Sequence, residues 1–88
     1  MESTFGLRLR VARDAANLTQ LQVASALGVA STTIARYEQD ADVPRTERAR
    51  ELARILGVSS SWLVLAEGFG PAIVTDPRER RAKSQPAA

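Results

Sequence analysis

Apolar residues recur along the first two-thirds of the chain in short bursts with a helical period, and each burst is closed by a residue that ends helices. Phe5, Leu9, Ala12 and Ala16 fall on one face of a first helix. Thr4 or Ser3 stands where it can cap the start, and Asn17, which tolerates the left-handed conformation, follows the last apolar position. Thr19 and Gln22 have the spacing of a capping box, so a second helix begins almost at once. Val23, Ala24 and Leu27 form its inner face and Gly28 ends it. A third helix is predicted over residues 31–39, with Ala30, Ile34 and Tyr37 facing inward, followed by a loop over residues 40–44. Thr46 is placed to cap a fourth helix with Ala49, Leu52, Ala53 and Leu56 inside and Gly57 as its stop. Ser59 caps a short fifth with Trp62, Leu63 and Ala66 inside, ending at Gly68.

No strand-like alternation occurs, so the expected fold class is all-α, a five-helix bundle over residues 1–69. From residue 70 onward Pro71, Pro77, Pro86 and a charge cluster break any apolar period. This segment, 70–88, is expected to be a flexible, disordered basic C-terminal tail.

The stretch TQLQVASALGVASTTIARYEQ stops one good helix and starts another that has little apolar material. Two short helices joined by a glycine-containing turn form a helix-turn-helix, here about residues 20–39, and cross steeply. The first can lie across a DNA backbone while the second enters the major groove. A groove-reading helix must be polar outside, and the outward positions of the third helix are Ser31, Thr32, Ala35, Arg36 and Gln39. Ser and Thr reach base edges or phosphates, and Arg reads guanine through two parallel hydrogen bonds.

Composition narrows the alternatives. Eighty-eight residues make one small domain. With neither cysteine nor histidine, disulfides are excluded, and zinc sites and His- or Cys-based catalysis lose their usual groups. No enzyme, metal or cofactor is therefore expected. No apolar run is long enough to span a bilayer and no secretory signal opens the chain, so a cytoplasmic, nucleoid-associated protein of a bacterium or phage is expected. The net charge of +2 is small. Its distribution, basic in the first third, acidic in the middle and basic again in the tail, permits nucleic-acid binding without demanding it.

At FGLRLRVARDAANLTQ, VASALGVASTTIARYE and LARILGVSSSWLVLAEG the chain resembles the lambda-repressor-like (Cro/repressor, XRE-type) helix-turn-helix proteins, over about residues 5–68. The resemblance implies roles position by position. Ser31, Thr32 and Arg36 stand where the family reads bases. Gln20 stands at the family's phosphate-contacting glutamine, and Thr33 and Gln39 lie near the DNA backbone. Arg13 and Glu38 match a salt bridge between the first and third helices, from which Arg13 can also present a donor to phosphate.

Three departures qualify the match. Asp40 replaces the usual glycine after the third helix; it can adopt the left-handed turn, but it and Asp42 put negative charge near the DNA path. Ala30 replaces the usual Ser or Thr cap, a change that typically loses ~0.5–2 kcal/mol. Ser31 either takes over that cap or reads a base. The end of the fifth helix carries more apolar side chains than a short helix buries, so Leu65 and Phe69 either cover the base of the bundle or form a dimer interface. The tail cluster from Arg78 to Lys83 is a solvated segment or a supplementary phosphate contact.

The expected function is a sequence-specific DNA-binding transcriptional regulator, a repressor that binds an inverted-repeat operator of double-stranded DNA as a homodimer. One alternative is the antitoxin of a toxin–antitoxin pair, whose tail would fold onto a protein partner. The other is a protein-interaction adaptor that does not bind DNA, for which Asp40 and Asp42 are the best support.

Overall fold

A computed structural model describes residues 3–67. Five helices follow one another: α1 (Phe5–Ala15), α2 (Gln20–Leu27), α3 (Ser31–Glu38), α4 (Thr46–Leu56) and α5 (Ser60–Leu65), with no strand among the described residues. Local chemistry sets most boundaries. The Thr4 hydroxyl accepts from the Leu7 N–H, and Ser59 accepts from Trp62 N–H, each filling one of the donors a helix leaves open at its start. Thr19 and Gln22 close the full capping box. Asn17 takes the left-handed conformation at φ 58°, and Gly28 does so at φ 83°, where a residue without Cβ turns most cheaply.

The inner faces of all five helices meet in one core. Leu9, Val23, Ile34, Leu52 and Leu63 are fully buried, one from each helix, and Ala12, Ala24, Tyr37, Ala53, Leu56 and Trp62 fill the spaces between them. α3 packs against both α1 and α2, so the last helix of the pair is supported from two sides.

Four boundary expectations are corrected. Ala16, Ala30 and Ala66 are exposed, not core. Each lies just outside a helix, Ala16 and Ala66 as C-caps and Ala30 as an extended N-cap, so helical phase no longer sets where its methyl points. Ala66 is left-handed at φ 60° and closes α5 after Leu65. Thr46 does not cap α4. It is the first helical residue, because the helix already begins with the Ala49 N–H bonding to the Arg45 carbonyl at 2.9 Å, and Arg45 caps with its backbone alone. Gly68, Phe69 and the tail lie outside the described residues.

Two contacts brace α1. Arg8 is buried, and its guanidinium donates to the Leu63 and Val64 carbonyls, both at 2.9 Å, and to the Ser3 carbonyl at 2.7 Å and hydroxyl at 2.8 Å. The cation thus closes the C-terminal carbonyls of α5, where the helix dipole favours positive charge. At the other contact Gly6 lies against the end of α3. A Cβ there would collide with the Tyr37 and Glu38 carbonyl oxygens, so only glycine permits the approach.

Candidate nucleic-acid interface

Ile34 and Tyr37 anchor α3 in the core, and the helical phase then turns Thr32 and Arg36 to solvent, with Ser31 and Ala35 half-buried beside them. Ser31 is the first helical residue and does not cap. The cap is Ala30, with no side-chain hydrogen bond, so the Ser31 hydroxyl is not spent on capping.

Behind that face a buried network sets the position of α3. Arg13 donates through Nε to Glu38 Oε2 at 2.6 Å and through Nη2 to Oε1 at 3.1 Å, a two-point pairing. Its Nη1 donates to the Leu18 carbonyl at 2.9 Å, and Gln20 Nε2 donates to Glu38 Oε1 at 3.1 Å. The Arg13 guanidinium is pushed further above its ordinary value, chiefly by the hydrogen bonds to Glu38 and against the opposing effect of burial. Each of its three nitrogens makes one bond inside the protein, Nη1 also lies 3.4 Å from Asp14, and its side chain is only 14% exposed. That geometry makes Arg13 a holder of α3 before anything else, while Gln20 keeps one N–H beyond its bond to Glu38.

Two hollows flank α3. Arg10, Arg13, Gln20, Ala35, Glu38 and Gln39 line one, so Arg13, Gln20 and Gln39 are brought together on the α1–α2 side. Thr33 lies on the other side, in a larger open cleft where Arg45 and Arg48 stand with Asp42 and Glu47 beside Tyr37 and Val43. Arg10, Arg45 and Arg48 were not singled out by sequence reasoning. For the last two a signal existed. Arginines in the cap and first turn of a helix oppose its dipole, so local helix energetics do not account for them.

The two acids after α3 turn out to be engaged within the chain. Asp40 is left-handed at φ 58°, and its Oδ1 accepts from the Gly6 N–H at 2.9 Å, at the start of α1 where an anion is favoured. Asp42 accepts from Arg36 Nε at 2.6 Å. The Arg36 hydrogen bond holds the Asp42 carboxyl below the usual range and raises the guanidinium in turn. Both side chains remain about half exposed.

Residues 9–63 match the helix-turn-helix family model, well over half of the chain. The chain belongs to the lambda-repressor-like (XRE-type) helix-turn-helix family. No curated protein matches it in sequence. Solved structures with the same fold include the P22 c2 repressor in complex with synthetic operator 9T, at 23% identity, TM-score 0.71, covering 75% of this chain and all of that one. The LexA repressor from Eubacterium rectale is similar at 20% identity, TM-score 0.63, over 83% of this chain and 80% of its own. A chain of the SinR protein/SinI protein complex is similar at 21% identity and TM-score 0.65, over 70% of this chain and 61% of that one. Family and fold are those of DNA-binding transcriptional regulators. No helix among the described residues of this family member is long and apolar enough to cross a membrane.

Proposed function

We propose that this helix-turn-helix protein is a transcriptional repressor that binds an inverted-repeat operator as a homodimer in the bacterial cytoplasm. The observation that carries the reading is the outer face of α3, which presents Thr32 and Arg36, with Ser31 half-buried beside them, between two hollows that each have arginines in their lining. A helix held from behind, with arginines available on both sides, fits a major groove bordered by two phosphate strands. In this reading Ser31, Thr32 and Arg36 read bases. Gln20 and Gln39 meet one strand, with Arg13 contributing chiefly by placing them, and Thr33 meets the other.

One such module reads too few base pairs to select a genomic site against the many competitors, which argues for two copies related by a two-fold axis. The exposed end of α5 offers the apolar surface, with Leu65 at 64% and Val64 at 43% exposure. Phe69, the other candidate for this surface, lies outside the described residues. The operator complex of the P22 c2 repressor supports the same use of the fold here. The adaptor reading loses its main support, since Asp40 and Asp42 are both bonded within the chain. Sequencing the genomic DNA fragments retained by the purified protein tests the proposal. Enrichment of one inverted-repeat sequence is the expected result, and retention without sequence preference would refute it.

A further inference from the structure

Arg36 and Asp42 are six residues apart, and the backbone brings them together. After α3 the chain reverses at the left-handed Asp40, and the Ala41 and Asp42 N–H groups fold back to the Arg36 carbonyl at 2.9 and 3.4 Å. That turn is itself pinned to α1 by the Gly6 N–H on Asp40 Oδ1, beside the close glycine contact with the end of α3. The Asp42 carboxylate therefore stands next to the Arg36 side chain because of the helix cap, not by the chance meeting of two long side chains. The bond it accepts comes from Nε. A carboxylate on Nε leaves open the Nη1/Nη2 edge, which can match guanine O6 and N7. Here that edge takes no part in the pairing.

We propose that Asp42 is a positioning residue for base reading: it holds Arg36 by Nε and so presents the Nη1/Nη2 edge to a guanine in the major groove. The proposal rests on the reading of α3 as the DNA-reading helix. A free arginine on an exposed helix samples many rotamers, and holding one of them before binding lowers the ordering cost at the moment of contact. It also sharpens selectivity, because an arginine biased at one end turns less readily to a neighbouring phosphate when the guanine is replaced. The negative charge of Asp42 weakens attraction to phosphate in general, so the residue exchanges some non-specific affinity for discrimination.

The test uses the whole chain and a library of random DNA duplexes with constant flanks. Wild type, Asp42→Ala, Asp42→Asn, Arg36→Ala and the Arg36→Ala/Asp42→Ala double variant each select bound duplexes. Their affinities are then titrated for the selected site, for sites with single guanines replaced, and for random duplex. Thermal melts accompany every variant, and are expected to coincide because both side chains are exposed. Wild type is expected to select a guanine in each half-site whose replacement weakens binding roughly tenfold or more, and Arg36→Ala to abolish that preference. Asp42→Ala and Asp42→Asn are expected to reduce the preference at that same base, by roughly fivefold on this scale, while other positions keep theirs and random duplex is bound as well or better. In the Arg36→Ala background, removing Asp42 should change nothing at that base. If Asp42→Ala tightens binding to every duplex alike and the guanine preference survives, Asp42 is only a repulsive charge and the proposal fails while the DNA-reading assignment stands. The same holds if Arg36→Ala leaves all preferences intact. If wild type enriches no sequence, the reading of α3 falls and takes the proposal with it.

Discussion

Two arginine–carboxylate pairs meet on α3, and they share a shortest N–O distance of 2.6 Å. Their surroundings differ. The Arg13 and Glu38 side chains are 14% and 6% exposed, those of Arg36 and Asp42 57% and 51%. At the first pair water is largely excluded, a second guanidinium nitrogen and Gln20 complete the Glu38 carboxylate, and the Leu18 carbonyl takes the remaining arginine nitrogen. At the second, solvent competes for both partners and salt screens them. Bond length therefore says little about what a pair does. The buried one fixes where α3 lies on α1 and α2, and the exposed one governs only what α3 shows to the outside.

The sharpest way to break this comparison is to remove one partner of the buried pair. Glu38→Ala leaves the Arg13 and Gln20 donors without their acceptor at the edge of a surface hollow, which costs about 2–3 kcal/mol. For a domain whose total stability is on the order of 5–15 kcal/mol, that moves the urea midpoint far down. A midpoint within experimental error of wild type would show that the network is not what holds α3.

The next largest effect belongs to the exposed pair and is read on DNA instead of on folding. Arg36→Ala should leave the thermal transition where it is and relax discrimination at one base position by roughly tenfold to a hundredfold. Equal losses on operator and random duplex would identify Arg36 as a phosphate contact.

How far each pair was visible beforehand follows from chain distance. The caps at Thr4, Thr19 and Ser59, the turns at Asn17 and Gly28 and the core faces are local, written within three or four residues, and the five helices were readable from them. Alanines misled at Ala16, Ala30 and Ala66, since a methyl fits the core and the surface equally and carries no weight at a helix edge. The contacts of Arg8 and Asp40 bridge partners 55 and 34 residues apart. Helical phase sets Arg8 on the inner face with Phe5 and Ala12 and leaves Arg10 outside, but nothing in a local window tells which carbonyls Arg8 meets or that Asp40 turns toward α1. Gly6 likewise looks like a costly residue in a helix until α3 is seen resting on it. Arg13–Glu38 came only through family resemblance, and Asp42 was read as a lone negative charge because its partner depends on the turn.

A smaller effect separates assembly from folding. Leu65 is exposed in the described residues, so Leu65→Glu should leave the melt of the protein near that of wild type. On an inverted-repeat operator the same variant should replace cooperative binding with weak half-site binding, since the two copies no longer share an apolar contact. Sedimentation showing a monomer at every concentration for wild type, with footprints over a single half-site, would remove the dimer from the account.

The smallest expected effect is that of pH, and it bears on the exposed pair alone. Asp42 has its carboxyl lowered from the ordinary 3.8, first through the hydrogen bond from Arg36, and the Arg36 guanidinium is raised by the same bond. A carboxyl whose value in the folded protein lies below its unfolded one contributes its interaction fully above the unfolded value and loses it as pH falls through the folded one. The pair therefore stays ionised from neutrality down toward the ordinary carboxylate value, and the chain has no histidine to titrate nearer neutrality. Because both side chains are open to water, the melting temperature should show no trace of this pair at any pH in that span. Discrimination at the guanine read by Arg36 should be flat between about pH 5 and about pH 8. A change of more than about twofold within that window would mean that some other titrating group, and not Asp42, sets how Arg36 is presented.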